Sequence, residues 1–261
     1  MNLSEGRSRA AIEAIATRAG PDLLDIHTDL HHNRAVVTLI GERAPREVTE
    51  AAVRRLDLRA HQGVHPRFGV VDVVPFVPLA GSTLADAIAA RDRFAEWVAT
   101  RLEVPAFLYG PERSLPEVRR RAFGGLSPAA GPPHPHPRAG AVAVGARGPL
   151  VAWNVYLADA DLETATRIAA AIRGRHVRAL GLAVGDEVQV SMNLTNPDEV
   201  GPAEAWDLVE THEPIARAEL VGLIPKAVLD RIPVARWPQL DVSDDRTIEA
   251  RLAQRARRRP R

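Results

Sequence analysis

Along this chain, helical repeats of apolar residues take turns with short runs of branched ones. In residues 5–18 the apolar positions Ala11, Ile12, Ile15 and Ala16 fall on one helical face, and Gly20-Pro21 stops the pattern. Residues 23–28 and 35–40 read as short buried strands, separated by the polar turn Asp29-Leu30-His31-His32-Asn33-Arg34. Pro45 opens a second helical pattern that reaches about residue 60. Residues 70–77 read as a strand, 84–102 as a long amphipathic helix, and 104–109 as a strand closed by Gly110-Pro111. The stretch 124–140, GGLSPAAGPPHPHPRAG, is too dense in glycine and proline for a helix or a central strand. It is either an idle linker or a functional loop with a stiffened backbone. Residues 140–147 read as loop turning into strand. Their glycines lack the order and following helix of a dinucleotide fingerprint, and no Gly-Lys-Ser/Thr of a P-loop is present.

The alternation then resumes. Residues 150–157 predict a strand, 161–173 a helix, 177–184 and 187–194 a hairpin over Gly185-Asp186, 203–211 a helix and 216–224 a strand, with short helices at the end. That order is a split βαβ, ferredoxin-like unit. The first half reads as the same unit with its first strand missing. The expected fold is therefore α+β with two such subdomains, residues 1–146 and 147–261.

Composition narrows the chemistry. Of 261 residues, 46% are apolar and 26% charged, which suits a globular chain long enough for one large core or two small ones. No run reaches the roughly 18 to 20 apolar residues of a membrane span, and the start lacks the apolar segment of a signal peptide, so a cytoplasmic protein is expected. With no cysteine, disulfides, thiolate nucleophiles and cysteine zinc sites are excluded. Lys226 is the single lysine among 34 basic residues, which argues against Schiff-base chemistry. A net charge of +1 offers no global field for nucleic acid. The terminal run Arg255, Arg257, Arg258, Arg259 and Arg261 reads as a solvated tail, with no interleaved aromatics to support nucleic-acid contact.

The most unusual stretch is HQGVHPRFGVVDVVPFVPL, residues 61–79. Pro66 stiffens the chain after His65 and biases His65 toward an extended backbone, which aims its imidazole. Arg67, two residues on, points to the same side of an extended segment. A free imidazole titrates near about 6.5 and suits proton transfer, although a histidine before proline also serves as a hydrogen-bonded turn residue. His31 and His32 would point to opposite sides of an extended chain. His134 and His136 share a face, but the prolines around them restrict closure. No metal-ligand spacing appears, and no metal is expected.

Further landmarks are NLSEGR, LLDIHTDLHHNRAVVTLIG, LYGPERSLPEVRRRAF, GAVAVGARGPLVAWNVYL, QVSMNLTN and AELVGLIPKAVL. With the stretch above, and in this order, they resemble the formiminotransferase domain of glutamate formimidoyltransferase and of the formiminotransferase-cyclodeaminase family, from Asn2 to about Pro225. The resemblance implies two ferredoxin-like subdomains around a folate-binding cleft. It implies transfer of a formimino group from N-formimino-L-glutamate to N5 of tetrahydrofolate, the co-substrate, in histidine catabolism and one-carbon metabolism. It implies a catalytic histidine at His65, moving one proton from N5 and one to the departing glutamate nitrogen. Arg67 would clamp a carboxylate, steady the histidine, or form a structural ion pair. Asp72 would orient the imidazole or hold the strand entrance. Asn33 and Arg34 match the family's Asn-Arg, either lining the substrate side or serving as turn former and surface group. The folate-contacting segment corresponds to Gly131-Pro132 through Gly140, in which His134, His136 and Arg138 are candidate contacts. Arg147 matches the family's Gly-Ala-Arg, with Gly148 where a lysine usually follows.

Other departures are visible. The family begins with a strand before its Asn-x-Ser-Glu-Gly, so the reading frame is expected to start earlier or the protein to be compromised. His27 stands where some relatives carry an acid, and segments 44–60 and 111–130 look shorter than in typical relatives. The expected partners are the two substrates, a homodimer mate and a separately encoded cyclodeaminase; neither nucleic acid nor membrane is expected. The rival readings are a folate-binding protein without catalysis, and a transferase using a different donor such as formylglutamate or formiminoglycine.

Overall fold

In the computed structural model, residues 1–63 and 67–258 are described. His65, Arg259 and Arg261 lie outside them. The chain divides into two compact units, Met1–Gly148 and Pro149–Arg261, and has an α+β architecture with two sheets.

In the first unit β1 (Asn2–Leu3), β2 (Leu23–Asp29), β3 (Arg34–Leu39), β4 (Val71–Phe76), β5 (Ala106–Tyr109) and β6 (Val142–Ala146) form a sheet in the order β2-β3-β1-β4-β6-β5. The first strand, expected to be missing, is present: Asn2–Leu3 lies in the sheet centre, antiparallel to both β3 and β4. Two residues suffice because their flanks extend the ladder. Val37 N donates to Met1 O at 2.8 Å and Ser4 N to Val70 O at 2.8 Å, while Leu3 is fully buried. The remaining strands close the sheet in parallel, β6 lying between β4 and β5. Residues 142–146 are the strand into which the 140–147 stretch reads as turning, and they are buried.

Helices α1 (Arg9–Ala16), α2 (Arg43–Arg55) and α3 (Leu84–Leu102) supply Ile12, Ile15, Val48, Phe94 and Val98 to one core with Leu3, Val37, Val71 and Val144. The second helix ends at Arg55 rather than near residue 60; a separate short 3-10 turn follows at Leu58–Ala60. Thr83 and Asp86 cap α3 reciprocally, which fixes its start where the apolar period begins. An unexpected helix, α4 (Leu115–Arg121), packs Val118 and Leu115 with Val73, Phe107 and Ala143 in a separate apolar cluster.

In the second unit β7 (Val151–Leu157), α5 (Leu162–Ile172), β8 (Val177–Val184), β9 (Glu187–Leu194), α6 (Pro202–Glu210) and β10 (Ile215–Val221) follow the expected order. The sheet is antiparallel with order β10-β7-β9-β8, and the β8–β9 hairpin turns between Val184 and Glu187. Its core joins Val151, Trp153 and Val155 to Ile168 of α5 and Trp206 and Val209 of α6. Helices α7 (Lys226–Leu229) and α8 (Ile248–Arg258) complete the unit.

Candidate active site

The turn between β2 and β3 organises the candidate site. Asp29 Oδ1 accepts from the amides of His31 at 2.8 Å and His32 at 2.7 Å, and Asp29 Oδ2 pairs with His32 Nδ1 at 3.0 Å. Burial opposes ionisation of Asp29, but the ring and amide of His32 overcome it and bring its carboxyl down to about 2. The histidine pair thus lies in the turn read from the sequence, and His32 is buried.

Asn33 follows with φ 47°, in the left-handed region that asparagine tolerates. It is the turn former anticipated, and more. Its Oδ1 accepts from Gly6 N at 2.8 Å, and its Nδ2 donates to Gln62 O at 2.8 Å and faces His61 Nδ1 at 3.3 Å. Three motifs distant in sequence meet on this one amide. Glycine is required on both sides: a Cβ on Gly6 would lie 2.1 Å from Asp29 O, and one on Gly63 2.4 Å from His32 O.

Arg34 is not a surface group. Burial, assisted by the neighbouring Arg119 charge and opposed by Asp72, lowers its guanidinium to about 10. Arg67 donates to Gly63 O at 3.0 Å and His61 O at 3.3 Å, so its side chain is fixed on the carbonyls of residues 61 and 63. Burial lowers its pKa, and Asp72 counters the effect. Asp72, 2% exposed, accepts from Phe68 N at 2.9 Å and pairs with Arg119 of α4. Asn33, Arg34, Arg67 and Asp72 therefore line one small cavity, together with Ser4, His32 and His61.

The proline-rich loop is tied down by its own residues. His136 and Gly140 exchange backbone hydrogen bonds of 2.8 and 2.9 Å, and His136 Nδ1 accepts from Ala139 N at 2.9 Å. Arg138 is engaged by Asp57 at 3.4 Å, His134 is exposed, and Gly131 and Pro132 begin the segment beside Ala106, whose N donates to Ala130 O. At the far end Gly140 bridges Gly69, whose carbonyl accepts from Ser4 Oγ at 2.7 Å. Arg147 stands elsewhere, after β6, in contact with Tyr109; burial lowers the arginine and raises the phenol.

Sequence reasoning missed Ser4, His61 and Arg119. The signal for Arg119 was the helix start Ser114-Leu115-Pro116-Glu117, in which Ser114 Oγ accepts from Glu117 N at 3.3 Å. Among the described residues no group of three or more histidine, aspartate or glutamate side chains is placed to hold a metal.

Residues 1–147, which carry this whole arrangement, match the family model for the formiminotransferase domain, N-terminal subdomain. The chain belongs to the formiminotransferase family. It is 34% identical to a glutamate formimidoyltransferase of Streptococcus pyogenes serotype M1 over 266 residues, covering 88% of this chain and 89% of that protein. A glutamate formimidoyltransferase of Thermoplasma acidophilum is 33% identical over 295 residues, covering 98% and 96%. The formimidoyltransferase-cyclodeaminase of Sus scrofa is 33% identical across 88% of this chain but only 50% of its own length. The turn, the Gly-x-His-Pro-Arg neighbourhood and α4 all fall within the stretch matched to the formiminotransferase model.

Proposed function

We propose that this chain is a tetrahydrofolate-dependent glutamate formimidoyltransferase, working in histidine catabolism and one-carbon metabolism. The observation that carries the reading is the likeness along nearly the whole length of two glutamate formimidoyltransferases. The cavity lined by Asn33, Arg34, Arg67 and Asp72 supports it.

In this reading N5 of tetrahydrofolate attacks the formimino carbon of N-formimino-L-glutamate. The new N5–C bond forms, a tetrahedral adduct collapses, and the C–N bond to glutamate breaks. N5 loses one proton and the glutamate nitrogen gains one. His65 performs both transfers, since a single imidazole near neutrality serves as base and then as acid. Its flanks suit that role, since Gly63 is pressed against the turn and Arg67 clasps the 61–63 carbonyls. Arg34 and Arg67 are the cations offered to substrate carboxylates. The segment Gly131 to Gly140, with Pro132, His134, His136 and Arg138, is the folate contact, and Arg147 is an anion-binding group after β6. Both units are read as ferredoxin-like, because the order β10-β7-β9-β8 places the outer strands of a split βαβ on either side of the inner pair, and β2-β3-β1-β4 repeats the arrangement. The protein is read as cytoplasmic and as a homodimer.

The purified protein mixed with tetrahydrofolate and formiminoglutamate should generate the absorbance of the 5-formimino product, and His65→Ala should abolish it. Tetrahydrofolate binding without turnover in the unaltered protein would establish a folate-binding protein instead.

A further inference from the structure

His61 opens the 61–79 stretch and lines the cavity of the first unit with Ser4, His32, Asn33, Arg34, Arg67 and Asp72. Its two ring nitrogens are in different situations. The orientation of the Asn33 amide is settled by its other contacts, because Oδ1 accepts from Gly6 N at 2.8 Å and Nδ2 donates to Gln62 O at 2.8 Å. The atom that faces His61 Nδ1 at 3.3 Å is therefore a donor, and Nδ1 accepts. The proton of the neutral ring then sits on Nε2. That atom is buried and has no hydrogen-bond partner among the described residues.

A buried N–H without an acceptor is costly, and the acids around this one do not relieve it. Glu5, whose charge reaches the ring, accepts from the amides of Arg7 and Ser8 at 2.8 Å each. Asp29 holds His31 and His32, and Asp72 holds Phe68 N and Arg119. Burial and then the Arg67 charge lower the imidazole pKa, with Arg7 adding to them against Glu5 and the Ser4 main chain. Near neutral pH the ring is thus an uncharged N–H donor, not a base, in the wall of a cavity that also carries the cations Arg34 and Arg67. An anionic acceptor is the ligand chemistry that suits such a wall. The interior is small, about 10 Å³, which is room for one oxygen atom of a larger group.

We propose that His61 is a carboxylate-binding residue of the substrate site, its Nε2–H donating to one oxygen of a substrate carboxylate that reaches into the cavity beside Arg34 and Arg67. This rests on the formimidoyltransferase reading. Both substrates bring that chemistry, N-formimino-L-glutamate in its own carboxylates and tetrahydrofolate in its glutamyl tail. Asn33 sets the tautomer that makes the ring a donor, and His61 gives up no proton in the reaction.

The tautomer and the ligand are tested separately. Long-range proton–nitrogen NMR spectra of the unaltered protein, assigned with His61→Gln, should show His61 neutral with its proton on Nε2 near neutral pH. A proton on Nδ1, or a charged ring, overturns the proposal. Adding L-glutamate or tetrahydrofolate should move the Nε2–H resonance, whereas tetrahydropteroate, which lacks the glutamyl carboxylates, should not. An equal shift with tetrahydropteroate, or none with either carboxylate ligand, overturns it too. In turnover, His61→Ala should raise the KM of one substrate about tenfold to a hundredfold while kcat changes less than about threefold. The substrate affected identifies the carboxylate. His61→Gln, which carries an N–H near the place of Nε2, should recover most of that affinity. Unchanged KM values in His61→Ala, or a fall confined to kcat, would leave the cavity a water site and overturn the assignment while the transferase reading stands. Failure of the unaltered protein to turn over would sink the transferase reading, and the spectra would still decide whether His61 binds a carboxylate.

Discussion

Asn33 holds three chain segments with one amide, in a backbone conformation few residues accept. Asn33→Ala removes those bonds, strands the Gly6 amide and adds left-handed strain. A loss of about 3 kcal/mol is expected in urea unfolding. Asn33→Gly loses the same bonds but keeps the backbone fit, and should recover about 1 kcal/mol of it. Equal losses would show that the turn geometry contributes nothing. Asp29 makes a pH-dependent contribution at the same turn. The fold binds its ionised form, so the stabilisation is complete above the ordinary value of 3.8 and is lost as pH falls through about 2. The stability gap between the unaltered protein and Asp29→Asn, about 2 kcal/mol near neutrality, should therefore close between these limits. A gap that persists at pH 2 would assign the loss to packing. Asn33, Arg34, Arg67 and Asp72 could be marked from sequence because turn and motif residues are locally unusual. Ser4, His61 and Arg119 lie in stretches just as recognisable, but only long-range contacts bring Ser4 and His61 to the cavity and Arg119 to Asp72.

Elements separate along similar lines. The span of α3 was readable to the residue because nineteen residues of helical period lie behind a reciprocal cap. The hairpin of β8 and β9 was readable because Gly185-Asp186 breaks two branched runs. By contrast α4 spans seven residues and fully buries only Val118, too little for a period to show, and β1 is too short to carry any pattern. Yet α4 delivers Arg119 to Asp72. Arg119→Met should leave Asp72 buried without the cation that touches it and cost about 3 kcal/mol. Adding Asp72→Asn, which still accepts from Phe68 N, should restore more than half of that loss. No restoration in the double variant would mean that α4 is held by its apolar contacts and not by the ion pair.

At the scale of the whole molecule, the apolar core and the buried polar groups occupy opposite faces of the same sheets. Ala35 and Val37 of β3 join the helix-backed core, whereas Arg34 belongs to the cavity; in β7 the division falls between Trp153 and Asn154. The alternation that revealed the strands could show that each sheet has two faces. It could not show which polar residues are buried, since Gln189 and Asn154 look like ordinary solvent-facing residues until their surroundings are known. Adjacent substitutions in β7 test the division directly. Trp153 is fully buried and donates from Nε1 to Leu240 O at 2.9 Å, so Trp153→Phe loses volume and leaves that carbonyl unmatched. It should lower stability by about 2 kcal/mol while KM for formiminoglutamate stays within about twofold of the unaltered value. Asn154→Ala removes a hydrogen bond donated to the Glu219 carboxylate. It should cost about 1 kcal/mol in stability. A loss for Asn154→Ala as large as that for Trp153→Phe, read by urea unfolding, would show that the polar face holds the sheet together as strongly as the core does.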